Sequence, residues 1–194
     1  MDIINKIHRI VEKMKEQMLA KGIDSLDKVF IVIAQFDKEK TGKLDILQFE
    51  PFLAKIGIFL KTQELTEIHK FLETVETGCV SFERFIGLLK CEVPELLTKK
   101  VTEIFNKIKD SENEISLNNL YAKFNPERHP RVLTMEKEVP TVQNEFNIAV
   151  QFVVGDKNSI NLDEFLELHR NMFWVNPKEN TTYFYNMLNE IWRC

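Results

Sequence analysis

Apolar residues recur along this chain with two distinct spacings. Ile3, Ile7, Ile10, Met14 and Met18 fall three and four residues apart with charged residues between them, which places them on one stripe of a helix. That spacing predicts an amphipathic helix over residues 1–22. Further along, a short frame repeats four times: Gly42 to Phe49, Gly78 to Phe85, Asn113 to Leu120 and Asn158 to Phe165. Each opens on Gly or Asn, which tolerate the positive φ of a sharp turn. Two places later stands an aliphatic residue (Leu44, Val80, Ile115, Ile160), followed by a good helix N-cap (Asp45, Ser81, Ser116, Asn161). Each frame therefore predicts a loop, a short strand and the start of a helix. The repeat is near-regular except for a longer gap before the fourth frame.

The predicted fold class is all-α: four helix–loop–helix units in two pairs, with short strands joining the loops, plus the N-terminal helix. Residues 23–92 form the first pair and 93–194 the second, which carries an inserted arm at 125–141 and a C-terminal helix. Pro126, Pro130 and Pro140 exclude one continuous helix across the arm, leaving a linker or a docking arm. The N-terminal helix either covers the first lobe or binds a partner. Trp174, Phe184 and Trp192 are expected to pack the final helix onto the second lobe.

The loops themselves carry the chemistry. Asp37 to Gln48 has the layout of an EF-hand calcium loop, in which twelve residues offer oxygens at set positions. Its candidate metal ligands are Asp37, Glu39, Thr41, the carbonyl of Lys43, Asp45 and Gln48. Calcium wants six to eight hard oxygens and usually a bidentate glutamate at the last position. Gln48 supplies one neutral oxygen there, and Lys38, Lys40 and Lys43 offset the three acids, so a weak or vestigial site is expected. The second loop, Glu73 to Arg84, has Val75 in place of a ligand and a cation at its closing position. The third takes Lys109 first and Asn119 last, with Asp110, Glu112 and Glu114 read as a solvated turn. The fourth keeps Glu164 at its end but starts from Val153 and Gly155. No cofactor is predicted beyond weak calcium at the first loop.

Composition narrows the alternatives. Hydrophobic residues make up 44% and charged residues 29%, and the net charge of −4 is spread along the chain, so neither a nucleic-acid footprint nor a membrane patch is indicated. No apolar run is long enough for a membrane span, and the N-terminus is too charged for a secretion signal. Cys79, Cys91 and Cys194 read as reduced thiols in the cytoplasm. The 15 Phe against 3 Tyr and 2 Trp predict a phenylalanine core. His8, His69, His129 and His169 share no metal or triad spacing and read as surface or capping residues. Without a nucleophile elbow, P-loop or C-x-x-C, no enzyme is predicted.

Over residues 25–194 the chain resembles the calcyphosine family of EF-hand proteins. The resemblance is most specific at His129-Pro130-Arg131, the following Glu136-Lys137-Glu138-Val139, and the ending Phe184, Met187 and Trp192. It implies two EF-hand lobes in a cytoplasmic protein. Of the family's calcium ligands, Asp37, Thr41 and Asp45 fit, whereas Gln48, Arg84 and Asn119 do not. The resemblance also implies a place among fixed components of ciliary axonemes, including the lumen of doublet microtubules, with tubulin and neighbouring axonemal proteins as partners. Two readings follow. The first is a structural, largely calcium-independent interaction protein; the second is a calcium sensor or buffer that binds through the first loop and recruits a helical partner.

Overall fold

The computed structural model describes residues 3–23, 25–74, 78–110, 113–174 and 179–192. These residues are mostly helical, with eleven α-helices and four two-residue strands among them. The chain divides into two units, Met1–Lys90 and Cys91–Cys194.

In the first unit, α1 (Ile3–Ala20) buries Ile7, Ile10, Val11, Met14 and Met18, the stripe expected from their spacing. It packs on α4 (Thr62–Leu72) and α5 (Phe82–Leu89). Lys6 pairs with Glu67, and Lys13 Nζ lies 2.6 Å from Glu64 Oε2, so the two helices run in opposite senses. Gln17 then clamps the backbone of Phe59, donating to its carbonyl and accepting from its N–H. Gly57 (φ 83) lies so close to Lys21 that an added Cβ would sit 2.7 Å from the Lys21 side chain. The unit's other helices are α2 (Leu26–Phe36) and α3 (Ile46–Lys55). Phe30, Phe49, Phe52, Phe82 and Phe85 fill the centre, with Phe52 edge-on to both Phe82 and Phe85 at 5.3 Å.

The second unit holds α6 (Glu95–Ile108), α7 (Leu117–Lys123), α8 (Pro130–Leu133), α9 (Val139–Val154), α10 (Leu162–Met172) and α11 (Thr181–Ile191). Phe105, Phe124, Phe146, Phe165, Phe173, Phe184 and Trp192 lie in its core, and α11 packs on α6. The proline-rich arm is not an extended linker. Pro126 opens a 3₁₀ turn, Pro130 opens α8 and Pro140 lies in the first turn of α9, which begins within the predicted arm. Proline lacks the N–H that a helix start leaves unpaired, so these breaks are also beginnings. The arm docks on its own unit: Asn125 N donates to Ile191 O at 2.7 Å, and Arg128 pairs with Glu190.

Short strands join the loops within each unit. β1 (Lys43–Leu44) pairs with β2 (Val80–Ser81), and β3 (Ile115–Ser116) with β4 (Ser159–Ile160), all antiparallel. Leu44 faces Val80 and Ile115 faces Ile160, each at most 1% exposed. The exit helices extend both ladders alike: Phe82 N donates to Gly42 O and Leu117 N to Asn158 O. All four predicted caps accept from their helices: Asp45 from Leu47 N, Ser81 from Arg84 N, Ser116 from Asn119 N and Asn161 from Glu164 N.

Candidate functional site

The first loop leaves α2 at Phe36 and turns inward through positive φ at Lys40 (54°) and Gly42 (71°). That turn aims successive N–H groups at Asp37. Its Oδ1 accepts from Thr41 N at 2.8 Å and from Thr41 Oγ1 at 2.9 Å, and its Oδ2 accepts from Gly42 N at 2.7 Å. Thr41 Oγ1 also lies 3.3 Å from the Lys43 carbonyl. Asp37, Thr41 and Lys43 O are thus gathered at one point. Of the remaining predicted ligands, Glu39 and Gln48 line the same open depression of about 530 Å³ as these three, together with Lys38, and Asp45 does not. Asp45 is spent on its helix cap, 2.7 Å from Leu47 N. Among the described residues, no group of three or more His, Cys, Asp or Glu is arranged to hold a metal ion. Asp37 already holds three hydrogen bonds within the loop.

The other three loops are tied by their own side chains. In the second, Arg84 Nη1 donates to Glu73 O at 2.8 Å, from the closing position back to the opening one. Thr74 N donates to Cys79 O and Gly78 (φ 65) to Thr74 O, completing the turn. The predicted Val75 lies outside the described residues, as do Glu112 and Cys194.

In the third loop, Asn119 Nδ2 donates to Ile108 O at 2.6 Å, again from end to beginning. Asp110 is exposed, as the solvated turn expected from the sequence requires, and it also holds the loop together. Its Oδ2 accepts from Ser116 N at 2.6 Å and its Oδ1 lies 3.3 Å from Asn119 Nδ2, so it organises this loop as Asp37 organises the first. Glu114 is engaged too, accepting from Ser159 Oγ across the ladder.

In the fourth loop the turn is made at Gly155 (φ 64), and Asn158 keeps an ordinary φ although the frame suggested otherwise. Val153 lies within α9. Glu164, the one closing glutamate, holds an internal cation: Lys157 Nζ sits 2.5 Å from Oε1, while Oε2 accepts from Asn161 N at 3.0 Å. Burial pushes this carboxyl up, but the bonds from Lys157 and Asn161 outweigh it and leave the group below the usual carboxylate range.

Two histidines depart from the surface role expected of them. His8 is exposed and His129 caps α8 through Arg131 N, whereas His69 and His169 are buried. Sequence reasoning also passed over Lys157, although a lysine seven residues before the last retained glutamate was there to be read.

No protein-family model matches the chain. Over 98 residues it is 28% identical to alpha-actinin from Dermatophagoides farinae, a match spanning 46% of this chain and 11% of that protein. Among the described residues, no helix is long and apolar enough to cross a membrane.

Proposed function

We propose that this chain is a calcyphosine-like protein of two EF-hand pairs that serves as a structural, calcium-independent interaction module. One observation carries the reading: three of the four loops are closed by donors of the chain itself, namely Arg84, Asn119 and Lys157. An internal ammonium on Glu164 takes the place where an EF-hand glutamate would grip calcium, so the exit helix is held in register without an ion. The packing of each unit supports the same reading, since α1 covers one and α11 the other with apolar stripes that a sensor would leave for its target. The partners proposed are proteins of a large assembly, with the ciliary doublet microtubule as the assembly to which the family resemblance points.

Calorimetric titration of calcium into the purified protein, with magnesium present, tests the proposal. The expected result is no binding in the micromolar range. Micromolar binding at one site, with a lobe opening on calcium, would overturn it.

A second reading rests on the gathered oxygens of Asp37, Thr41 and Lys43 beside the open depression. On that reading the first loop is a weak calcium site of a sensor or buffer. Gln48→Glu should then tighten calcium binding sharply, because it restores the bidentate closing ligand. No change in affinity would sink this second reading.

A further inference from the structure

His169 stands on α10, wholly enclosed by the second unit. Its Nδ1 lies 2.7 Å from the carbonyl of Phe165, and its Nε2 lies 3.0 Å from Nε1 of Trp192. These partners fix the proton. An indole N–H only donates, so Nε2 must accept; a carbonyl only accepts, so Nδ1 must carry the hydrogen. The ring is therefore the neutral Nδ1–H tautomer with both nitrogens in use.

Trp192 is in turn what fastens the end of α11. Its backbone bridges to Phe124, and the preceding Ile191 carbonyl receives Asn125 N. Its indole ring lies against Phe124, Phe146 and Phe165 at centroid distances of 5.7, 5.9 and 5.2 Å. The rings of Phe165, Phe173 and Trp192 pack on the imidazole. Burial holds the ring's proton affinity down and the Phe165 carbonyl opposes it, with no charged group of α6, α9, α10 or α11 contributing among the described residues.

We propose that His169 and Trp192 form a proton-sensitive latch that holds the C-terminal turn on the second unit and releases it in acid. A proton added at Nε2 would set an imidazolium N–H directly against the indole N–H. Two donors would then face each other with no acceptor between them. The uptake balances simply: solvent supplies the proton, the Trp192 N–H···N bond breaks, and the indole must move away from the ring to be solvated. Release would uncover the aromatic cluster of Phe124, Phe146 and Phe165.

The sign follows from burial, which holds His169 at about 4 against an ordinary 6.5. A released ring takes up a proton between those values and the latched ring does not. The latch is thus fully favoured above about 6.5, weakens as pH falls toward about 4, and its bias is spent below that. His129, in the same unit, is also held at about 4, by burial first and by Lys137 second. It titrates in the same window and has to be separated.

The test is nitrogen-15 NMR on the full chain, with the Trp192 indole signal assigned through Trp192→Phe. The expected result is an Nδ1–H neutral imidazole at neutral pH. Relative to His169→Gln, which keeps an acceptor but cannot titrate, indole solvent exchange should rise about tenfold per pH unit through the window. His129→Gln should leave that rise unchanged. An Nε2-protonated ring at neutral pH, or equal pH dependence in wild type and His169→Gln, would overturn the latch. Should His169→Gln fail to fold, the tautomer measured in the wild type decides alone.

Discussion

Arg84 reaches back 11 residues to the Glu73 carbonyl, and that single bond does locally what a bound ion does in a calcium-loaded loop. It ties the exit helix to the entry helix. Because the pair is exposed, a modest contribution is expected, as for other exposed charge-assisted bonds. Arg84→Met should lower stability by about 0.5–1 kcal/mol, or roughly 4–8 °C in melting temperature per kcal/mol, measured by calorimetry. Lys157 tests the same idea through pH. Glu164 titrates below its ordinary 4.5 in the folded protein, so its stabilisation is present above 4.5 and lost as pH falls through the lowered value. Lys157→Met should destabilise the protein at neutral pH and flatten the decline in melting temperature below pH 4.5. A variant with the acid limb of the wild type would show that the ammonium is not what holds the carboxyl down.

The paired strands are the smallest elements and bind the loops together. Ile115 and Ile160 face each other wholly buried, so Ile160→Ala should cost about 2–4 kcal/mol, seen as a lower urea midpoint. These elements were legible in the sequence because each depends on a local rule. A Gly or Asn turn, an aliphatic strand residue and a capping side chain follow one another within a few positions. The loop ties were less legible. Arg84 to Glu73 or Lys157 to Glu164 depends on how the chain folds back on itself, which spacing alone does not specify. Asp110 is exposed, as three neighbouring acids predict, and what spacing does not specify is that its carboxylate also organises the loop through Ser116 N. His169 left a readable trace: Phe165, Leu168 and His169 fall at helix spacing on the buried face of α10. The arm's prolines predict a linker or docking arm because proline ends helices, and the same residue type starts them.

At the scale of the whole molecule, each unit carries a helix that buries its apolar stripe on that unit, α1 in one and α11 in the other. On the proposed reading the lobes have little to gain by opening, and the three loops closed by their own side chains have little to gain from an ion. Thermal unfolding in about 1 mM calcium should therefore match that in chelator. The comparison is demanding, because a ligand that binds only the folded state stabilises it by RT ln(1 + [L]/Kd). A first loop of about 10 μM affinity would contribute about 2.7 kcal/mol at that concentration, or upwards of 10 °C in a unit of this size. A shift below about 2 °C would place Kd near or above about 1 mM, too weak for Asp37 and its neighbours to report a micromolar calcium signal. A shift of 10 °C would instead mean that Asp37, Thr41 and Lys43 O recruit further oxygens when calcium arrives. The first loop would then be a working site beside three that close themselves.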